Sequence, residues 1–346
     1  MKQALDIEQI TATALSEILG YPVAEVTTKK VGTGQTGASY RLYLQAEQGP
    51  KTLLAKVAAG DLQARARVKG GYAAEVGFYD QLVDTIDART PKCWYAAISE
   101  DHLHFTLLLE DLAPRVPGVQ VEACDLVRAQ AAIRNLAALH APRWNDPKLF
   151  ELGFLMNTHS PEAAAFIGQL TVSSAATYVE SYRRELGEAN AKTIIEAAAA
   201  IGRWIGKLAP NFSVLHGDYR LDNLMFGADP NDVVVLDWQT AAVGAPTRDL
   251  AYFLGTSLKT DQRREHESAL VALYHQQLLD RGVEGYDFEQ CFRDYRLGHL
   301  HAIMITTIGC VNATGERSAE SDAMFLAMAN RSSEAIRDLQ TLDLVD

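Results

Sequence analysis

The sequence predicts an α+β fold in two lobes, a small β-rich N-terminal lobe and a mostly helical C-terminal lobe. Three observations predict it. β-forming runs split by a glycine-rich turn occupy the N-terminal part of the chain. From Val121 onward apolar residues recur largely at helical spacing. One short β island, 214–237, interrupts that helical region. A chain of 346 residues can bury two such cores. The expected boundaries are 1–112 and 113–346, with the join near Glu110-Asp111-Leu112-Ala113-Pro114.

Each element has its own signal. Residues 7–19 have helical spacing and stop at Gly20. Val31 to Leu44 reads as strand, glycine-rich turn, strand, and Thr52 to Val57 as a short apolar strand. Tyr72 to Val83 is an expected helix, and His104 to Leu109 a buried strand. Beyond the join, helices are expected over 122–140, 161–186, 189–207, 261–281, 287–306 and 319–340. No repeat, low-complexity tract or long linker is present.

Composition narrows the function. Hydrophobic content is 48% and charged content 22%, ordinary for a soluble globular chain. A net charge of −12 argues against nucleic acid or an anionic membrane as partner, because both select clustered Lys and Arg. Cys93, Cys124, Cys291 and Cys310 are widely spaced, with no C-x-x-C pair. Free thiols in a reducing compartment are expected. The N-terminus carries Asp6 and Glu8 and does not read as a signal peptide. The apolar segment 302–311 is far shorter than the ~20 residues of a membrane span. A cytoplasmic protein without a membrane span is expected.

The chemistry-bearing stretch is Val214-Leu215-His216-Gly217-Asp218-Tyr219-Arg220-Leu221-Asp222-Asn223, followed by Val233-Val234-Val235-Leu236-Asp237-Trp238. Phosphoryl transfer needs a carboxylate to accept a hydroxyl proton, and an amide oxygen with a second carboxylate to hold magnesium. Asp218, Asn223 and Asp237 supply that set in the order of a kinase catalytic loop and its metal-binding Asp. Asp237 ends an apolar strand, where a carboxylate is costly unless paired or bound to metal. Gly32-Thr33-Gly34-Gln35-Thr36-Gly37 matches G-x-G-x-x-G. A dinucleotide fold would follow it with a helix, but Ser39 to Leu44 reads as a strand. The glycines therefore fit a loop between two strands over phosphates, with Gly34, Gln35 and Thr36 at its tip.

Lys56 sits inside the apolar strand and needs anions. Phosphates or a carboxylate would serve, with Glu75 on the next helix the favoured partner and Glu47 a poor rival. A lysine snorkelling from a strand edge is the plain alternative. His216 could be a base beside Asp218 or could support the loop. Arg220 and Asp222 could pair or face substrate. Gln239 could face a cleft or cap a turn. Asp249 could cap a helix. His299 and His301 read as core or pocket-lining residues, not zinc ligands. No G-x-S-x-G is present, so a hydrolase nucleophile elbow has no support.

With these residues in view, the chain resembles the aminoglycoside phosphotransferase and choline kinase superfamily, in which His-Gly-Asp stands where protein kinases have His-Arg-Asp. The resemblance runs roughly from Val31 to Tyr252. Leu236-Asp237-Trp238-Gln239 and Asp249-Leu250-Ala251-Tyr252 are most similar to the ecdysteroid-kinase-like bacterial branch. Gly217 departs from choline kinases, which usually have Asn there. The resemblance implies a protein-kinase-like fold, ATP and Mg²⁺ as cofactors, and transfer of the γ-phosphoryl group to a hydroxyl of a small organic molecule. It implies Asp218 as base, Asn223 and Asp237 on metal, and Lys56, Glu75, Gly32, Gly34, Gln35 and Thr36 around the phosphates. It implies adenine bonded to backbone at Glu110 and Leu112. It also gives His216 and Asp249 supporting roles in the catalytic loop. An apolar alcohol, steroid-like or hydroxyacyl, is the expected acceptor. An antibiotic kinase and a nucleotide-binding pseudokinase are the rival readings.

Overall fold

The structure is a computed structural model and describes residues 2–32, 37–157, 161–207, 210–312 and 318–345. The chain forms two compact units. The first contains Met1–Asp84, Thr90–Pro114 and Asp237–Ala241, and the second contains Thr85–Arg89, Arg115–Leu236 and Ala242–Asp346. A contiguous boundary at residue 112 does not describe this division, because Asp237–Ala241 returns to the first unit.

In the first unit, helix α1 (Ala12–Leu19) starts at Thr11, whose side chain accepts from the Ala14 amide, and stops at left-handed Gly20. Strands β1 (Glu25–Val31), β2 (Gly37–Gln45) and β3 (Thr52–Ala58) follow. Helix α2 (Leu62–Gly77) is capped by Asp61 and continues as a π-helical turn, Phe78–Leu82. It starts well before the expected Tyr72. Its buried residues all fall between Tyr72 and Gly77, so apolar periodicity marks only its second half. Strands β4 (Cys93–Ile98) and β5 (Phe105–Glu110) complete an antiparallel sheet ordered β1-β2-β3-β5-β4. Residues 93–98 show no apolar–polar alternation by which to expect β4. Leu15 of α1 packs with Leu42, Leu53, Ala55, Val57 and Leu108 in the core of this unit.

The second unit opens with β6 (Val116–Pro117), α3 (Leu126–His140), β7 (Met156–Asn157) and α4 (Pro161–Gly206). The expected pair of helices 161–186 and 189–207 runs as one span, kinked at Tyr182 and at Gly187, whose φ is +70°. Strands β8 (Ser213–Leu215), β9 (Leu224–Phe226), β10 (Val233–Val235) and β11 (Ala242–Gly244) make two small sheets, β10-β9-β6 and β7-β11-β8. Helices α5 (Thr247–Ser257), α6 (Thr260–Asp280), α7 (Phe288–Gly298), α8 (Leu300–Asn312) and α9 (Ala319–Asp338) follow. Every residue of α5 is buried, which removes the polar face that would have announced it in the sequence. The expected helix 287–306 is two helices, α7 and α8. A Cβ on Gly298 would lie 2.7 Å from the Thr247 carbonyl oxygen, so the glycine permits the close approach of α7 to α5. Trp204 of α4 is fully buried in the main core and donates to the Leu297 carbonyl at 2.7 Å. Among the described residues no helix is long and apolar enough to cross a membrane.

Candidate active site

The first unit gathers Lys56, Glu75, Asp237 and Gln239. Strand β3 carries Lys56 and the buried half of α2 carries Glu75, and their charged groups meet at 2.8 Å. Asp237 lies 3.4 Å from Lys56 Nζ. Its φ of +63° is left-handed, a conformation Asp tolerates better than most residues. Trp238 holds this segment in the unit by stacking on Phe78, with ring centroids 3.5 Å apart. Gly71 leaves room for it, since a Cβ there would lie 3.3 Å from the Gln239 Cβ. Gln239 Nε2 donates to Glu75 at 3.3 Å, so it faces the ion cluster. Among the described residues Glu47 makes no ion pair with Lys56, whose carboxylate partners are Glu75 and Asp237. Burial alone would lower the Lys56 pKa, but Asp237 and Glu75 outweigh it and hold the ammonium above its ordinary value. Asp237 is 45% exposed against 1% for Glu75, so only one of the two carboxylates is open to a ligand.

Around the phosphate loop, Gly32 has φ +72°, and the Val31↔Ser39 pairing joins β1 to β2. Gly34, Gln35 and Thr36 lie outside the described residues. A strand follows the glycines, as expected of a loop between strands. At the end of β5, the Glu110 amide donates to the Lys92 carbonyl at 2.8 Å, and Leu112 is buried. Asp111 between them is bound by Arg41 at 2.7 Å.

The second unit holds the catalytic-loop residues. Asp218 follows Gly217, whose φ is +80°. Asp218 Oδ1 accepts from the Tyr252 hydroxyl at 2.7 Å, and Oδ2 accepts from Asn223 Nδ2 at 2.9 Å. Arg220 Nε lies 3.1 Å from the carboxylate, and its Nη1 reaches Asp222 at 2.6 Å and Met324 Sδ at 2.7 Å. Arg220 and Asp222 therefore pair, and the same guanidinium also holds Asp218. Asn223 Nδ2 donates to the Asp218 carbonyl as well, at 2.8 Å. Its side-chain amide nitrogen is thus taken up by Asp218. Among the described residues no group of three or more His, Cys, Asp or Glu is gathered in the manner of zinc.

Backbone clamps shape this loop. Asp249, in the first turn of α5, accepts from the His216 amide at 2.7 Å and the Gly217 amide at 3.0 Å. Burial pushes the Asp249 carboxyl up, but its bond from His140 and the neighbouring imidazoles outweigh that and leave it below its ordinary value. The His216 Nδ1 accepts from the Asp218 amide at 3.2 Å and its Nε2 bonds the Leu236 carbonyl at 2.7 Å. The ring is a brace within the loop.

Sequence reasoning missed four residues here. Tyr252 reaches the Asp218 carboxylate itself. Gln120 receives the Leu221 amide at 2.9 Å, gives its own amide to Asp222 at 2.9 Å, and is fixed by Arg331 on its carbonyl at 2.7 Å. His301 bonds the Gly217 carbonyl at 2.8 Å, and Arg248 bonds His301 at 3.0 Å. Only Tyr252 carried a signal, its place one turn after Asp249 on the same helix. Arg248 adjoins Asp249 on that helix but bonds His301 and not the loop, and Gln120 and His301 come from distant segments.

The sequence profile of the ecdysteroid kinase-like family matches residues 38–282. The chain belongs to that family. Its fold is similar to a choline kinase from Cryptosporidium parvum Iowa II at 12% identity, covering 92% of each chain with a TM-score of 0.57. It is also similar to a putative aminoglycoside phosphotransferase from Ralstonia eutropha JMP134 at 18% identity, covering 94% of this chain and 97% of that one with a TM-score of 0.54. Aminoglycoside 2′-phosphotransferase-IIIa in its GDP complex has 13% identity, covering 94% and 97%, and a TM-score of 0.54. The kinase-like phosphotransferase fold is thereby shown. Acyl-CoA dehydrogenase family member 11 from Homo sapiens is 37% identical over 71 residues, which is 19% of this chain and 9% of that protein. The Mus musculus protein of the same name is 26% identical over 133 residues, 33% of this chain and 17% of its own length.

Proposed function

We propose, from membership of the ecdysteroid kinase-like family, that this chain transfers the γ-phosphoryl group of ATP to a hydroxyl of a small, uncharged or weakly charged apolar alcohol, steroid-like or hydroxyacyl. The observation that carries this reading is the Asp218 carboxylate, held by Tyr252, Asn223 and Arg220. Asp218 orients the acceptor hydroxyl and takes its proton. Asn223 Oδ1 and an Asp237 carboxylate oxygen would hold magnesium, which when bound neutralises phosphate charge. Lys56, kept charged by its carboxylates, binds phosphate oxygens. The loop from Gly32 to Thr36 covers the phosphates, and the backbone at Glu110 and Leu112 receives the adenine. Most of the acceleration comes from positioning and electrostatics, since phosphoryl transfer requires little covalent chemistry from the protein.

The acceptor class rests on the surroundings of the base. Tyr252, Ala302 and Met328 form a small apolar cluster with Ile305 and Met324, and Met324 touches the guanidinium that holds Asp218. Such surfaces suit apolar ligands with one polar anchor. A polycationic antibiotic would call for carboxylates there. The name of the curated relatives, acyl-CoA dehydrogenase family member 11, supports the hydroxyacyl member of the class. The free thiols Cys93, Cys124, Cys291 and Cys310 support the reading of a cytoplasmic protein.

The test is a panel of sterols, hydroxyacyl compounds, choline and kanamycin with Mg-ATP, read by product mass and ADP release. Phosphorylation of an apolar alcohol is the expected result. Turnover of kanamycin alone would overturn the acceptor class and leave the kinase assignment. No phosphorylated product from any acceptor, with ATP still bound, would favour the pseudokinase.

A further inference from the structure

We propose that Arg248 is a positioning residue for phosphotransfer, acting by setting the tautomer of His301, which in turn holds the peptide that carries Asp218. The proposal rests on the reading of Asp218 as base. An arginine side chain has five N–H donors and no acceptor. Arg248 Nη2 lies 3.0 Å from His301 Nδ1, so that nitrogen must accept. The single ring proton then sits on Nε2 and is donated to the Gly217 carbonyl at 2.8 Å.

The far end of the same peptide is held in the opposite sense. The Asp218 N–H donates to His216 Nδ1 at 3.2 Å, and His216 passes its Nε2 proton to the Leu236 carbonyl at 2.7 Å. One peptide plane is thus gripped at its C=O by a donor imidazole and at its N–H by an acceptor imidazole. The plane needs gripping, because Gly217 at φ +80° leaves it rotational freedom that a residue with a Cβ would not have. A second path reaches the same carboxylate. The His301 ring packs edge-on to Tyr252 with centroids 5.4 Å apart, and the Tyr252 hydroxyl bonds Asp218 Oδ1.

The arrangement is expensive as packing. Arg248 is 3% exposed, its Nε and Nη1 have no hydrogen-bond partner among the described residues, and its guanidinium lies 5.1 Å from the centroid of the Trp204 ring. A buried cation with unbonded donors costs stability, and an apolar side chain would fill the space better. The neighbouring Asp249 charge favours the cation, and its hydrogen bond goes to the His301 ring. Burial lowers the Arg248 pKa to about 10, which still leaves it charged at neutral pH. Burial and the adjacent Arg248 charge lower His301 to about 4, so the imidazole is neutral and its tautomer is meaningful.

The experiment uses the full chain, labelled with ¹⁵N-histidine, and two readouts: the His301 tautomer by NMR, and kcat and KM for Mg-ATP with water as phosphoryl acceptor. The unsubstituted protein is expected to show His301 protonated at Nε2 alone. Arg248→Met is expected to give a tautomer mixture and about a tenfold loss of kcat, with KM changed less than about twofold. Arg248→Lys keeps a donor and is expected to recover most of that loss. His301→Gln presents an amide donor near the Nε2 position without needing a tautomer. It is expected to lose about threefold, and adding Arg248→Met to it to cost less than about twofold more. An unchanged tautomer in Arg248→Met, or the same tenfold loss in both backgrounds, would overturn the proposal. Should Arg248→Met fail to fold, His301→Phe removes the donor to Gly217 and tests the same loss of kcat. Absence of phosphorylated product from every acceptor would defeat the proposed function, and the tautomer readout would still decide whether Arg248 sets the His301 ring.

Discussion

The two regions that carry functional residues are held by different physics. In the first unit, Lys56, Glu75, Asp237 and Gln239 are arranged by side chains acting on side chains, with charges balancing charges at 2.8 and 3.4 Å. In the second unit, Asp218 stands on a loop whose backbone is gripped by Asp249, His216, His301 and Gln120. The first arrangement fixes a charge and leaves one carboxylate, Asp237, open. The second fixes a shape and leaves the orientation of one carboxylate with almost no freedom. Substitutions in the first should therefore register in nucleotide handling with the fold intact. Substitutions under the second should register in stability and in kcat.

The sharpest way to break this contrast begins at Lys56. Lys56→Met is expected to reduce kcat/KM for ATP by about two orders of magnitude, comparable with removal of one preorganised charge donor. Glu75→Gln is expected to give a milder loss of about tenfold, because Asp237 still anchors the ammonium. Equal losses in the two variants, measured by steady-state kinetics, would show that Glu75 does more than position Lys56.

Next in size is the clamp. Asp249→Ala leaves two buried loop amides without their acceptor, and about 2–5 kcal/mol of stability is expected to go with it. Urea denaturation followed by tryptophan fluorescence checks this, since Trp204 lies in the same unit. Unchanged stability would remove Asp249 from the account of the loop.

These expectations show what the sequence could carry. The Lys56–Glu75 pair was legible because a lysine in an apolar strand needs an anion and few carboxylates were in reach. Asp218, Asn223 and Asp237 were legible because their chemistry is compressed into one short stretch. Gln120 and His301 were not, because each reaches the loop from a segment far away in the chain, and Arg248 was not, because its hydrogen bond goes to His301 and not to the loop. The fold followed the same rule. Elements with one polar and one buried face were readable. The fully buried α5 and the exposed first half of α2 were not, since each lacks the contrast that periodicity detects.

The smallest expected effect concerns acid. His299 is fully buried, neither ring nitrogen has a hydrogen-bond partner, and burial lowers its pKa from 6.5 to about 3. Its folded pKa lies below its unfolded one, so the unfolded chain takes up a proton that the folded ring refuses. Stability is present above pH 6.5 and is lost as pH falls toward 3, by at most about 1.4 kcal/mol per pH unit. His299→Leu is expected to flatten the decline of stability between pH 6.5 and 5. An unaltered slope in urea titrations would assign the acid sensitivity elsewhere, with His301 the next group.

The central claim is that Asp218 takes the proton of an acceptor hydroxyl during phosphoryl transfer. The most direct measurement compares the unsubstituted protein with Asp218→Asn for rate of product formation and for Mg-ATP affinity. The account expects unchanged affinity and a rate reduced by about two to four orders of magnitude, the range for a lost acid–base group. Near-normal turnover in Asp218→Asn would contradict it and place the base elsewhere.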